Sequence, residues 1–226
     1  MKKAWVAGVF GVIAIAGAAQ AGELPGGADD FYTECVEWDF PLSPGKQTLQ
    51  LPKFDTNDGL HVLKLVHLSW EGSMSANVTA ENDSEIAAPE FSVGLTGLVN
   101  LDINGGTVLG SLGFVRVAGP VAVAASDGVP DMGPDFHDFG LVSDTDFDST
   151  FEIPAAVWLA FPDTFDVQVT GSGGFAVSGS ADSSIMVSNF RTSGEVCVTY
   201  YYNIIPTPGA FGLAGLTGLA LLRRRR

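Results

Sequence analysis

Basic side chains are scarce between residues 22 and 205: Lys46, Lys53, Lys64, Arg116 and Arg191 stand there against all 26 acidic residues of the chain. A surface of that balance is repelled by phosphate, which excludes nucleic acid as a partner. Solubility, cation binding and a cationic partner all suit it equally. Nucleophile motifs are missing too. There is no Gly-x-Ser-x-Gly elbow, and Gly171-Ser172-Gly173-Gly174 reads as a hairpin turn rather than a strand-turn-helix presenting a serine. No catalytic residue is assigned, and the chain is read as a non-enzyme. A capped helical period is also absent between the two ends of the chain, which leaves strands as the available structure.

Long apolar runs occur only at the two ends. Lys2 and Lys3 precede an apolar stretch over residues 4–19, and Ala19-Gln20-Ala21 supplies the small-x-small site that signal peptidase accepts. The expectation is an exported chain with a signal peptide over residues 1–21. At the other end, Pro206-Thr207-Pro208 is followed by the apolar residues 210–222 and then by Arg223, Arg224, Arg225 and Arg226. As a helix, residues 210–222 rise roughly 20 Å, against a hydrocarbon core of about 30 Å. Counting from Ile204 gives roughly 28 Å, although Pro206 and Pro208 keep the first part from being regular helix. The arginines hold that end on the cytoplasmic side, so the body lies outside.

This layout of prolines, short apolar helix and arginine cluster resembles the PEP-CTERM sorting signal of Gram-negative bacteria, with Thr207 where that family usually has glutamate. The resemblance covers residues 206–226. It implies recognition by an exosortase, a membrane-embedded cysteine transpeptidase, and removal of the tail near the prolines.

The remaining residues suit one domain with a substantial core. Residues 22–31 read as a flexible lead-in, residues 32–203 as the domain, and residues 204–226 as the sorting or anchor signal. Strands are expected over residues 32–40, 47–51, 61–70, 75–80, 107–117, 121–125, 157–161, 165–170, 174–180 and 195–202. A half-buried strand or bent pair over residues 91–103 is interrupted at Gly97. The fold class is all-β: an antiparallel β-sandwich, with a jelly-roll connection as one arrangement, flanked by the signal helix and the short C-terminal apolar helix.

The chain has only two cysteines. In an oxidising compartment they read as one disulfide, Cys35 to Cys197. Val36, Trp38 and Phe40 share one side of the first strand, and Val196, Val198 and Tyr200 one side of the last. Both cysteines therefore fall on the opposite, more polar side, beside Glu37 and Glu195, which permits neighbouring strands.

An all-β body with Lys46-Gln47-Thr48-Leu49 and Phe54 early, Asp138-Phe139-Gly140 midway and Val196-Cys197-Val198-Thr199-Tyr200 before such a tail is similar to the choice-of-anchor E domain. That resemblance covers most of residues 32–203. It implies an extracellular surface role and supplies no catalytic residues.

Residues 127–152 are the densest acidic stretch and read as a loop. Within it, Asp144, Asp146 and Asp148 have the alternate spacing that lets a turn direct carboxylates at calcium. Against an EF-hand, Ser149 replaces the turning glycine and Ala155 the bidentate glutamate. Two readings stand, a solvated acidic loop and a calcium site. His61 and His67 are about 20 Å apart along one strand and cannot share a metal, and His137 reads as a surface residue. Trp38, Trp70 and Trp158 are either core or a sugar-stacking platform.

The leading function is an exported cell-surface or extracellular-matrix protein with a structural or adhesive role. Its processing partners are signal peptidase and an exosortase, its tail meets the membrane before processing, and matrix or polysaccharide is its external partner. The alternative is a carbohydrate-binding or carbohydrate-active module that uses calcium.

Overall fold

The computed structural model describes residues 23–103, 107–152 and 164–206. The expected signal peptide with Ala19 and Ala21, the tail from Thr207 through Arg226, the strand over residues 157–161, Ala155 and Trp158 lie outside the described residues. Among the described residues no helix is long and apolar enough to cross a membrane. The only helical element among the described residues is a 3₁₀ turn at Pro25–Gly27.

Eight strands follow: β1 (Asp30–Pro41), β2 (Gly45–Pro52), β3 (His61–Asn82), β4 (Ala88–Ile103), β5 (Thr107–Val123), β6 (Phe136–Glu152), β7 (Thr164–Ser178) and β8 (Ser183–Ile204). They form two four-stranded antiparallel sheets, ordered β1-β8-β3-β6 and β2-β7-β4-β5. Each sheet alternates early and late strands, as a chain folded double and rolled up requires. That is the strand order of an eight-stranded jelly roll. The all-β sandwich expected from strand periodicity is the architecture found.

Alternation builds the core between the sheets. On β3, Val66, Leu68, Trp70, Met74, Ala76, Val78 and Ala80 point inward, while Ser69, Glu71, Ser73, Ser75 and Asn77 between them face outward, because successive strand side chains take opposite faces. They meet Val93, Leu95, Val99 and Leu101 of β4. Trp38 and Trp70 are 2% and 1% exposed, so both are core and neither is a sugar platform.

Several expected breaks are absent, and glycine is the reason. Residues 61–70 and 75–80 belong to one strand, β3, which runs through Gly72. Gly97 sits inside an unbroken β4, and the supposed turn at 171–174 lies within β7. At these positions the opposite sheet comes too close for a side chain. A Cβ on Gly97 would stand 2.9 Å from the Met74 sulfur, and one on Gly171 2.8 Å from a Leu42 methyl. Glycine here permits close sheet-to-sheet approach instead of ending a strand. On β3 and β8, Gly72 and Gly194 are register partners, and the Trp38 indole lies against both.

The acidic loop needs the largest correction. Only residues 124–135 connect β5 to β6, and the rest of the stretch, from Phe136 to Glu152, is strand. It hid because β6 points Asp144, Asp146 and Asp148 toward the interior side, where a strand pattern calls for apolar residues. Val142 is its only buried apolar side chain.

Candidate functional site

The β6 aspartates are explained by where they sit, at the lateral rim where the edge strands of the two sheets face each other. The Val115 and Gly113 amides of β5 donate to Asp144 Oδ2 and Asp146 Oδ2, each at 2.8 Å. Successive aspartates thus meet alternate amides of a strand that, among the described residues, stands at the edge of its sheet. Inward-pointing charges are a known guard against edge-to-edge pairing. Asp148 turns instead to the Ser149 amide, 2.8 Å away. The turn that would aim all three carboxylates at one ion is not present. Among the described residues the only three metal-type side chains converging on one point are Cys35, Glu195 and Cys197, and the two sulfurs there are already bonded to each other.

Cys35 and Cys197 are register partners on β1 and β8 and form the disulfide, closing 162 residues of separation. The bridge lies on the outward face of its sheet. Two residues along, on the same face, Glu37 faces Glu195, which faces Glu71 of β3. Like charges directly opposite one another repel, so the bridge holds β1 to β8 next to a row that pushes them apart. A shallow open depression adjoins this row, lined by Glu71, Ser73, Thr145, Phe147 and Ser193. Phe147 is 61% exposed within it.

The two ends of the sandwich are closed by different chemistry. At the end where β1 begins and β8 finishes, Tyr32, Phe54, Tyr200 and Tyr202 pack ring against ring, with centroids 5.2–6.2 Å apart. Their hydroxyls are used. Tyr200 donates to the Pro52 carbonyl at 2.9 Å, Tyr202 to Asp30 Oδ2 at 3.2 Å, and Tyr32 accepts the Asp55 amide at 3.0 Å. Burial pushes Tyr32 up to about 12 and raises Tyr200 and Tyr202 above the usual tyrosine range.

At the opposite end Asn82, fully buried, ties three connections together. Its amide donates to the Ile86 carbonyl at 2.9 Å and the Ala124 carbonyl at 2.6 Å, while its oxygen accepts from the Ser84 amide at 3.2 Å and the Ser180 hydroxyl at 2.5 Å. Beside it lie Glu81, which accepts the Asp131 amide at 2.8 Å, and the buried Asp135. Asn82 carries no signal of this role in the sequence, and Asp135 is marked there only as one member of the acidic stretch. An asparagine before a Ser/Asp-rich turn is an ordinary turn signal, and nothing local marks Asp135 as buried.

The three histidines are dispersed among aromatic partners. His61 contacts Tyr202 at 4.5 Å, His67 stacks on Phe151 at 4.1 Å, and His137 meets Phe139 edge-on at 4.7 Å. Burial lowers His67 below the ordinary imidazole value. Pro206 is the only sorting-motif residue within the described chain.

No protein-family model matches the chain. No curated protein sequence matches it either. Among solved structures it is similar to Desmodium yellow mottle tymovirus, at 9% identity and a TM-score of 0.20 over 80% of this chain and 92% of that one. It is also similar to the infectious bursal disease virus VP2 subviral particle, at 11% identity and a TM-score of 0.15 over 88% of this chain and 51% of that one. Likeness at this level transfers neither site nor partner.

Proposed function

We propose that the chain is an exported, non-enzymatic surface or matrix protein whose work is structural or adhesive, with a C-terminal tail sorted by an exosortase-like enzyme. The observation that carries this reading is the Cys35–Cys197 bridge between the first and last strands. A disulfide points to an oxidising compartment outside the cytoplasm. Its position suits a tethered domain. β8, which leads into Pro206 and the tail, is flanked by β1 and β3 over most of its length, and the bridge ties it covalently to β1. A load applied through the tail would meet both ladders and the cross-link.

Mass spectrometry of the protein from its host is the test. A C-terminus near Pro206 to Pro208 is the expected result, and replacing Arg223, Arg224, Arg225 and Arg226 by neutral residues is expected to accumulate the unprocessed form. An intact C-terminus in the wild-type protein would refute the sorting reading.

Exposed Phe147 beside Glu71, Ser73 and Thr145 favours a second reading, carbohydrate binding in the depression on the outward face. Aromatic faces with adjacent polar groups are a common way to hold sugars. Binding to a glycan panel that is lost in Phe147→Ala would support it, and the absence of binding would leave the structural role.

A further inference from the structure

The β5–β6 connection holds a buried carboxylate oxygen that the surrounding protein does not satisfy, with a second carboxylate beside it. Asp135 is 0% exposed. Its Oδ2 accepts the Asp127 amide at 2.8 Å, and its Oδ1 is buried with no hydrogen-bond partner. Asp127 uses Oδ1 for the Val129 amide, at 2.8 Å, and turns Oδ2 toward the same space as Asp135 Oδ1. Both oxygens crowd the position where a side chain at residue 133 would begin. A Cβ there would stand 2.8 Å from Asp135 Oδ1 and closer still to Asp127 Oδ2. Gly133, at a φ of +106°, leaves that space open.

An ionised carboxylate oxygen buried without a donor is among the costliest things a fold can contain, and a second carboxylate oxygen beside it makes the cost larger. Asp127 is exposed, so the pair has a route to solvent. We propose that Asp127 Oδ2 and Asp135 Oδ1 hold a calcium ion, with water and loop carbonyls completing its shell. Two carboxylates match a divalent charge. Calcium accepts oxygen ligands in irregular geometry, whereas magnesium demands a near-ideal octahedron and gives up its water reluctantly. The site is separate from Asp144, Asp146 and Asp148, whose oxygens serve the rim. The ion would pin the connection against Asn82 and so complete the polar end of the sandwich.

Calorimetric titration of the exported protein with calcium chloride after chelator treatment tests this. One ion per chain is expected, with Kd of about 10⁻⁴ to 10⁻³ M, the range of extracellular calcium modules. Calcium should also raise Tm more than sodium chloride of equal ionic strength does, because a ligand of the native state alone stabilises it. Asp127→Asn is expected to weaken binding about tenfold or more, since ligand charge sets affinity. The Asp144→Asn, Asp146→Asn double variant should bind as the wild type does. Asp135→Asn should abolish binding, and if it does not fold, the exposed Asp127 decides alone. Equal Tm shifts from calcium and matched sodium, or unchanged affinity in Asp127→Asn, would overturn the site.

Discussion

The two ends of this sandwich solve one problem in opposite ways. Where β1 begins and β8 finishes, the opening is plugged by the rings of Tyr32, Phe54, Tyr200 and Tyr202, whose polar atoms reach the surrounding backbone. At the other end the plug is Asn82, a single amide distributing four hydrogen bonds among three connections. A ring plug works mainly through apolar area and tolerates imperfect partners. An amide plug works only when each atom is satisfied. The end that depends on complete satisfaction also carries a buried carboxylate oxygen without a partner, on Asp135.

Removing the largest piece of the ring plug should do the most damage. Tyr200→Ala empties a fully buried site between both sheets and is expected to cost about 3–5 kcal/mol, as large aromatic truncations do. Denaturant midpoints measure it. Asn82→Ala should cost less, about 2–4 kcal/mol, because it removes the donor from two part-buried hydrogen bonds, to the Ile86 and Ala124 carbonyls, at about 1–3 kcal/mol each after partial relaxation. The two ends would prove alike if Asn82→Ala were nearly neutral while Tyr200→Ala stayed costly. That result would reduce the hydrogen bonds of Asn82 to ornament.

The disulfide stands on the ring-plugged half, next to the Glu37, Glu195 and Glu71 row. Cys35→Ser is expected to cost about 2–4 kcal/mol. Part of that loss should be recovered in high salt, where repulsion within the exposed row is screened. Thermal melts at two ionic strengths check it, and salt-independent destabilisation would separate the bridge from the row. Free thiol assays on the unfolded, unreduced wild type should find none.

How legible these features were follows from how each one writes itself into sequence. The apolar alternation of β1, β4 and β8 is explicit, so the sandwich and the facing of Cys35 and Cys197 could be read from parity. The β6 strand could not, because Asp144 and Asp146 occupy interior positions for the sake of amides on another strand, a relation with no local trace. Glycines misled in the same direction. Gly72, Gly97 and Gly171 look like punctuation, yet each marks a spot where Leu112, Met74 or Leu42 presses on the backbone from across the core. Asp135 was unreadable for a related cause: whether an aspartate is buried depends on Asn82 and on the path of the preceding loop, which the acidic composition of the stretch conceals.

The smallest effect expected is confined to alkaline solution and to one end. Tyr32 is raised from 10 to about 12, mainly by burial, and Tyr200 and Tyr202 are raised in the same direction. A tyrosine whose value is higher when folded favours the neutral form in the native state. Its contribution to stability is complete below about pH 10, the unfolded value, and is lost as pH climbs from there toward 12. Unfolding free energy should therefore be flat with respect to these groups at neutral pH and fall across that alkaline window, with tyrosinate absorbance appearing late and together with unfolding. Tyr32→Phe should reduce the slope, since one titrating group is gone, while losing the hydroxyl that accepts the Asp55 amide. Asn82→Ala should leave the slope untouched, because an asparagine carries no titratable group and Asn82 lies at the end away from these tyrosines. An early tyrosinate signal from still-folded protein would mean that the ring plug admits water, and the contrast between the two ends would narrow to a difference in composition.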